Sequence, residues 1–583
     1  MRGRGAFAAA ISALLLIPAT AIGAPPPGAA ISGNLEYVTR VAGAAGITEG
    51  KFDTVRGKKV LVVTGRFGFK TYDVSDPTDP ELLDEFLPGG IAPPNPNAQP
   101  PSQRLGGYWQ NEDMELDTKR KLIIGALDPR HDTTAGPDGP CPHDDTLSVR
   151  DVDCKSGFYV ISYADPRNMR QIGDFVSLPS GHTSSCIQNC KYIWTGGPAR
   201  RSDQDWLTTI ILKTSPVTEE PTLNNRLIGD GRPIWVTDLR DPARPKVSDL
   251  PVDLYRNDGY TDYSHDVDED ARGIAWVAGR GGIRGYATDG RHRDPYQNRW
   301  REASPFDPIL VAGGGIEWDE PPFRANDGND GVAQATDFMH NSGRPTDGAV
   351  RASGVKNGNV LIGTEEDFTR PCSRSGRIVA VDLTDSWGGE PAQNSTRTNP
   401  YRMNALDSFH PHIDTPEGDT DEGDDDPNTA TPARGCSAHY FEIRASTLAA
   451  GWYAQGLRLV DVSNARNLRQ IGYYRVTGTS ADNPDSNSWD VAWYDDDPPK
   501  GKSSRKSKRS RKATHRRGDY VYLMDMARGI EVIRLKGGGA SASASMKKVR
   551  APSSGASRWA SQPIAGSSLA EGGYVCPLFT TPS

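Results

Sequence analysis

Several common catalytic motifs are absent from this sequence of 583 residues. It has no G-x-S-x-G turn, no P-loop and no H-E-x-x-H pair, which removes the usual signatures of serine hydrolases, P-loop nucleotide-binding proteins and zinc proteases. The glycine-rich stretch GRGGIRG (279–285) lies between two strand-like segments and opens no helix, so it predicts a β-turn and not a dinucleotide site. No amphipathic helix pattern of useful length is present either.

Long hydrophobic runs are missing after the N-terminus. There, Arg2 and Arg4 precede AFAAAISALLLI, and small side chains stand at Ala19 to Ala21, so residues 1–21 predict a secretory signal peptide too short to anchor the chain in a membrane. No later run is long enough to span a bilayer, and no cysteine follows the leader for lipid attachment. We therefore expect a soluble, secreted, extracellular protein. The formal net charge of −8 argues against nucleic-acid binding by the chain as a whole.

Cysteine is sparse, with seven residues in the chain. Export to an oxidising compartment predicts that these cysteines form disulfides. The expected pairs are Cys186–Cys190, Cys141–Cys154 and Cys372–Cys436, which leaves Cys576 over. A zinc site is the alternative for CIQNC (186–190), but the sequence lacks a second close pair to complete it.

A strand–turn–strand unit recurs along the chain. It appears as GFKTYDVSDPTDPELLDEFLP from Gly68, as GFYVISYADPRNMRQIGDFVSLP from Gly157 and as GLRLVDVSNARNLRQIGYYRV from Gly456. The middle strands are apolar almost without interruption, which is typical of strands covered on both faces. The Asp-Pro and Asn-Ala turns favour a tight bend, because Pro fixes φ and Asp or Asn bonds its own backbone. Short antiparallel strands in repeated sheets, packed face to face in a ring, predict an all-β fold, the β-propeller.

We count about seven four-stranded blades between residues 34 and 536, with six blades as the main alternative. The last repeat lacks an outer strand after IEVIRLKGG, whereas NLEYVTRVAG (34–43) is similar to the outer strand NLRQIGYYRVTG of the sixth repeat. We expect the N-terminal strand to complete the last blade and close the ring, which removes an exposed sheet edge. We also expect a monomer.

The units LVVTGRFGFKTYDVSDPTDP and GLRLVDVSNARNLRQIGYY resemble the LVIVD repeat family of secreted bacterial β-propellers. The resemblance covers most of residues 34–536 at the level of blades. It implies the propeller fold. It implies little about function, because propellers carry many unrelated activities.

Insertions and a tail interrupt or follow the repeats. The acidic insertion 414–428 offers Asp419, Asp421 and Asp424 around a glycine, as a calcium loop would, but it lacks the full twelve-residue pattern, and a solvated acidic loop is the alternative. The basic insertion 500–517 could bind a polyanion, or could simply be a solvated loop. Residues 537–583 read as a flexible C-terminal tail.

Histidine recurs at one position in four successive repeats. The segments GHTSSCIQN, YSHDVDED, FMHNSGRP and CSAHYFEI carry His182, His265, His340 and His439. Equivalent positions in a closed ring lie at one height, so these imidazoles are expected to converge on the propeller axis. Because neutral imidazole is the commonest protein ligand for copper, zinc and iron, the pattern predicts a transition-metal site in the channel. The alternative is a structural histidine that hydrogen bonds between strands, as in other propellers.

Acidic residues accompany these histidines. The second repeat has Glu112-Asp113 at the histidine position, and the seventh has Trp489-Asp490. The residues predicted to orient the rings, hold waters or add a carboxylate are Glu112, Asp113, Asp266, Glu365 (with Glu366 beside it) and Asp490. His410 and His412 of FHPHID are predicted to lie in a solvent-facing loop.

Two functions from different classes fit these observations. The first is a secreted binding protein that presents its rim loops and central channel to an extracellular polymer, protein or small molecule. The second is a metal-dependent enzyme, an oxidoreductase or hydrolase, with a histidine-lined site at the mouth of the channel.

Overall fold

The computed structural model describes residues 23–89, 112–127, 156–178, 181–197, 234–249, 251–252, 263–280, 282–295, 298–314, 316–317, 339–366, 376–384, 403–411, 437–480, 482–494 and 519–536. These residues form strands and turns, and none of their segments is a helix long and apolar enough to cross a membrane. The predicted signal peptide, both charged insertions and the C-terminal tail lie outside the described residues.

Seven sheets succeed one another along the chain, after two N-terminal strands, Ala29–Ile31 (β1) and Leu35–Val41 (β2). The strands of the first three blades, from inner to outer, are Ile47–Val55 (β3), Lys58–Gly65 (β4), Gly68–Asp73 (β5) and Glu81–Phe86 (β6); Met114–Asp117 (β7), Leu122–Leu127 (β8), Gly157–Ser162 (β9), Arg170–Gln171 (β10) and Val176–Ser177 (β11); and Thr183–Ile187 (β12), Tyr192–Gly196 (β13), Trp235–Asp238 (β14) and Lys246–Val247 (β15).

The remaining blades have the same order. The fourth and fifth consist of Tyr263–Glu269 (β16), Ile274–Arg280 (β17), Gly282–Ala287 (β18) and Ile309–Gly314 (β21), with the hairpin Arg291–Asp294 (β19) and Arg299–Glu302 (β20) inserted; and of Met339–Gly343 (β23), Val360–Glu365 (β24), Ile378–Asp382 (β25) and Met403–Phe409 (β26), with Ile316–Glu317 (β22) parallel to β26. The sixth and seventh consist of Phe441–Arg444 (β27), Thr447–Trp452 (β28), Gly456–Asp461 (β29) and Arg469–Val476 (β30); and of Ser488–Trp493 (β31), Tyr520–Asp525 (β32) and Gly529–Leu535 (β33).

The hydrophobic core lies between the blades. Every residue of β5, β8 and β9 is buried, because each of these middle strands has a neighbouring sheet on both faces. Between the first and second blades, Val60, Val62 and Phe69 pack with Tyr159 and Ile161. Burial of such side chains stabilises the fold by roughly 1.5–3 kcal/mol each. The prediction of doubly covered middle strands is confirmed.

The turns after the third strands repeat one set of hydrogen bonds. Asp73 Oδ1 accepts from the N–H of Ser75 at 3.0 Å, and Asp76 Oδ1 accepts from the N–H of Thr78 at 2.9 Å. The same local bond recurs at Asp165, Asp238, Asp241, Asp382, Asp461 and Asn464. Asp and Asn therefore set the turns, as the sequence predicted.

The N-terminal strand closes the ring. β2 pairs antiparallel with β33, from Leu35 opposite Leu535 to Val41 opposite Ile530, and so supplies the fourth strand of the seventh blade. This confirms the predicted closure and the count of seven blades. β1 additionally pairs with β30 on the outer edge of the sixth blade, which the sequence did not predict.

One predicted disulfide lies in the described part of the chain. Cys186 and Cys190 are bonded, with sulfur atoms 2.02 Å apart, and the zinc alternative for this pair is therefore wrong. The bond closes a tight turn in which Gln188 and Asn189 have φ angles of 52° and 57°. The other predicted cysteines, Cys141, Cys154, Cys372 and Cys436, and the leftover Cys576, lie outside the described residues.

Candidate metal centre

A β-bulge near the start of the inner strands builds the site. The pairing register shifts around Thr48, His265, His340 and Trp489, each of which is the extra residue in its strand. A bulge bends the strand and redirects the side chain of the extra residue, here towards the propeller axis. The residues at this level form what we call the imidazole layer, which consists of Thr48, Glu112, His182, His265, His340, His439 and Trp489.

The four histidines stand side by side around the axis. Ring centroids are 4.7 Å apart between His182 and His265, 4.2 Å between His265 and His340, and 4.0 Å between His340 and His439. Glu112 of the second blade reaches into this arc. Its Oε2 atom lies 3.1 Å from His182 Nε2, 3.3 Å from His265 Nε2 and 3.7 Å from His340 Nε2.

A second carboxylate, Glu366, meets the other end of the arc. Its oxygens lie 4.0 Å from His340 Nε2 and 3.9 Å from His439 Nε2, and the Tyr453 hydroxyl donates a hydrogen bond to it. All four imidazoles and both carboxylates are fully buried. Glu112 with His182 and His265, Glu112 with His340 and His439, and Glu366 with His265 and His340 each form a set of ligand atoms that lie within 4.8 Å of one another.

Backbone carbonyls of the next blade orient two of the rings. His265 Nδ1 lies 2.9 Å from the carbonyl of His340, and His439 Nδ1 lies 2.8 Å from the carbonyl of Trp489. A carbonyl can only accept, so each Nδ1 carries the proton, and each Nε2 keeps a lone pair directed at the axis. Anchoring of one ring nitrogen in this way is the usual arrangement for a metal-ligating histidine.

The protonation states suit metal ligation. Burial lowers the pKa of His265 and of His340, and brings the pKa of His439 to about 4, so all three rings are neutral at pH 7. Burial acts to raise the pKa of Glu112, but the charge of His182 and the surrounding rings outweigh it and hold that pKa well below its usual range. The centre therefore combines the three neutral imidazoles of His265, His340 and His439 with an ionised carboxylate.

The spacing of the donor atoms fits one ion. Nitrogen ligands about 2.0–2.1 Å from a tetrahedral metal lie about 3.3 Å from each other. His182 Nε2 and His265 Nε2 are 3.0 Å apart, and each lies a similar distance from Glu112. Imidazole nitrogens with carboxylate oxygens form a donor set that suits copper, zinc or iron.

The acidic residues that follow the imidazole layer have a different role from the one predicted. Asp113 Oδ2 accepts from the N–H of Ser184 at 2.7 Å, and Asp490 Oδ2 accepts from the N–H of Gly50 at 3.0 Å. Both bonds join the inner strands of neighbouring blades and do not orient the rings. Asp266 faces a cavity in the channel.

Two other residues lie away from their expected places. Glu365 pairs with Arg377 at 3.1 Å, and it is the next residue, Glu366, that reaches the histidines. His410 is buried at 1% exposure against the ring of Trp452, so the prediction of a solvent-facing position was wrong. His412 and the predicted calcium ligands Asp419, Asp421 and Asp424 lie outside the described residues.

The channel continues below the imidazole layer. Alternation along the inner strands places two further layers towards the axis. The carboxylate layer consists of Glu49, Asp113, Thr183, Asp266, Asn341, Tyr440 and Asp490, and the mouth layer consists of Lys51, Glu115, Ser185, Asp268, Gly343, Glu442 and Ala492. Lys51 Nζ lies 2.9 Å from Glu49, 3.8 Å from Asp113 and 3.4 Å from Glu115. Glu49 and Lys51 were not predicted from the sequence, although alignment of ITEGKFD with NEDMELD would have shown them.

The mouth layer opens into a cavity of about 350 Å³. Asp268 and Glu442 meet solvent there, yet they lie deep among protein atoms, and this burial raises the pKa of each to about 7. Burial and the neighbouring carboxylates likewise raise the pKa of Asp266. The cavity is therefore lined by carboxyl groups, and those of Asp268 and Glu442 lose their protons only near neutral pH.

Comparison with known proteins finds no family for this chain and only distant similarity to solved structures. No family model matches this chain, and no curated protein matches it. Among solved structures, the Pseudomonas aeruginosa periplasmic gluconolactonase PpgL is similar, with 9% identity and a TM-score of 0.35 over 72% of this chain and 84% of that one. The RRP9 WD40 repeats are also similar, with 8% identity and a TM-score of 0.38 over 86% of this chain and 97% of that one. So is the β-propeller domain of Cps50 (Swd1) from Myceliophteria thermophila, with 9% identity and a TM-score of 0.38 over 86% of this chain and 99% of that one. At these identities and TM-scores the likeness carries no argument about function.

Proposed function

We propose that this chain is a metal-dependent enzyme, an oxidoreductase or hydrolase, whose transition metal is held on the propeller axis by the four histidines and Glu112. The observation that carries the proposal is the convergence of four imidazoles from four successive blades on one buried carboxylate. A metal there would supply Lewis acidity or a redox centre, in a site shielded from bulk water.

The unsatisfied atoms of the site separate this proposal from a purely structural role. A structural histidine uses its ring nitrogens in hydrogen bonds, whereas both nitrogens of His340 and the Nε2 of His439 have no hydrogen-bond partner in the described structure. The oxygens of Glu112 likewise accept no well-aligned hydrogen bond from described residues. Each such buried atom costs about 1–3 kcal/mol, which a bound cation would offset.

The chain's own residues would divide the work. His265 and His439, fixed by carbonyls of the next blade, would present lone pairs without first losing a proton. Glu112 would balance part of the charge of the metal. Glu366, held by the Tyr453 hydroxyl, lies at the edge of the arc, where it could accept a proton from a reactant.

Metal analysis of the purified full-length chain tests the proposal. We expect one copper, zinc or iron ion per chain by elemental analysis, and a double variant, His340→Ala with His439→Ala, that retains less than a tenth of it. The control is His292→Ala, because this histidine lies on the inserted hairpin, away from the imidazole layer, with its Nε2 2.9 Å from the carbonyl of Asp289. A metal-free wild-type chain that takes up no metal on dialysis, or a double variant that keeps its metal, would contradict the proposal.

Binding through the rim loops stays a prediction, because those loops lie outside the described residues. Membership of the LVIVD repeat family and export through residues 1–21 are likewise predictions from the sequence alone. If the chain is exported, it would acquire its metal outside the cytoplasm.

A further inference from the structure

Acidic side chains outnumber basic ones in the lower channel. The carboxylate and mouth layers contain Glu49, Asp113, Glu115, Asp266, Asp268, Glu442 and Asp490, which face a single ammonium group, that of Lys51. Arg344 also lines the cavity, but Asp270 holds it at 2.8 Å. An excess of carboxylates in a channel with protein walls concentrates field lines and attracts cations.

Burial increases in steps from the mouth to the imidazole layer. Asp268 and Glu442 are exposed, Asp266 is 8% exposed, Asp113 is 3% exposed and the histidines are fully buried. Acidic side chains therefore occur at every level between the cavity and Glu112. Two buried polar groups beside this path have no hydrogen-bond partner in the described structure, Ser342 Oγ at the cavity and the Glu112 carboxylate at the far end.

We propose that the acidic mouth, formed by Glu115, Asp266, Asp268 and Glu442, is the entry site through which a divalent metal cation reaches the imidazole layer. The inference rests on the proposed function, because it concerns how the same centre is loaded. In the described structure the close sets of ligand atoms all belong to the imidazole layer and Glu366. The mouth carboxylates would therefore attract a hydrated ion and pass it inward, without holding it as final ligands.

The kinetics of metal uptake by the full-length, metal-free chain test this inference. The probe is Co²⁺, whose visible absorption reports ligation by imidazole, mixed with protein in a stopped-flow instrument at low ionic strength and pH 8, where carboxyl groups with a pKa of about 7 are mostly ionised. For Asp268→Asn with Glu442→Gln we expect an association rate about tenfold lower than wild type, and the same final stoichiometry. Gln at position 442 keeps the acceptor for the N–H of Trp493, at 2.7 Å in the wild type, so the fold is preserved.

Two further variants make the test directional. Lys51→Gln removes the one ammonium group in the described carboxylate and mouth layers, and we expect it to load faster than wild type, because the potential of the channel becomes more negative. Glu81→Gln with Glu302→Gln removes two exposed carboxylates on the outer strand of the first blade and on the inserted hairpin, and we expect wild-type loading. High salt should reduce the difference between wild type and the mouth variant.

The outcomes separate this inference from the proposed function. Wild-type uptake of one ion with an unchanged rate in the mouth variant overturns the entry route and leaves the metal centre standing. A mouth variant that loads at the wild-type rate but releases the ion faster also overturns it, because the carboxylates would then be ligands. A wild-type chain that takes up no ion overturns both proposals.

Discussion

The replacement of His340 by Leu distinguishes a metal ligand from a structural residue. His340 is fully buried between the rings of His265 and His439, and neither of its nitrogens has a hydrogen-bond partner in the described structure. Without metal, two unsatisfied buried nitrogens cost about 1–3 kcal/mol each. An apolar side chain of similar size removes that cost. Two such groups sum to about 2–6 kcal/mol, so His340→Leu should be at least as stable as wild type, and more stable by up to about that amount, in the presence of a chelator.

Addition of metal should reverse this order. A ligand at about 100 times its dissociation constant stabilises the folded chain by about 2.7 kcal/mol, and the variant, which lacks a ligand, should gain little of it. The matched comparison is His439→Leu, which also loses a ligand but in addition gives up the hydrogen bond from its Nδ1 to the carbonyl of Trp489, so with chelator it should be less stable than His340→Leu.

Urea denaturation of the three proteins, with chelator and with metal, measures these differences. If His340→Leu loses as much stability as His439→Leu in the presence of chelator, His340 has a structural role. Its unsatisfied nitrogens would then no longer indicate a metal ligand.

Three further predictions concern other parts of the molecule. Arg528→Met should reduce the free energy of unfolding by about 3–5 kcal/mol, because it leaves the fully buried carboxylate of Glu531, 2.8 Å away, without its cationic partner. In urea denaturation, the double variant Arg528→Met with Glu531→Leu should recover most of this loss. Tyr37→Ala should cost about 3–5 kcal/mol and speed proteolysis, since its ring packs 5.8 Å from that of Tyr474 across the closure; a loss below about 1 kcal/mol would contradict this. Bound metal should persist at pH 5 and dissociate as the pH falls through about 4, because burial lowers the pKa of His439 to about 4 and protons compete for its nitrogen only below that range; elemental analysis after dialysis measures the bound metal, and release near pH 6.5 would contradict the prediction.

The positions of the four histidines followed from the repeat. Once the chain was read as copies of one blade, ring symmetry alone placed His182, His265, His340 and His439 at one level. The structure brings these four residues together, and metal binding by them remains a proposal. The closing strand could also be predicted from the sequence, because the resemblance of residues 34–43 to an outer strand is a local signal.

The sequence could not predict in the same way which of two neighbouring residues faces the channel. Sequence alternation predicts which face a side chain takes only while the register holds, and a bulge shifts it by one residue. Glu365 and Glu366 are adjacent acids, and which of them meets the histidines depends on Arg377, which captures Glu365 from the neighbouring strand. His410 is decided by tertiary packing against Trp452, which no local pattern encodes.

The pairing of β2 with β33 also constrains how the chain is made. β2, near the N-terminus, must remain without its partner until the ribosome has delivered nearly every other strand, since Leu35 meets Leu535. Contacts of such long range form slowly, and the waiting strand offers open backbone groups to other chains in the meantime. Truncation near the C-terminus should therefore produce a protein that self-associates, with the damage appearing at the opposite terminus.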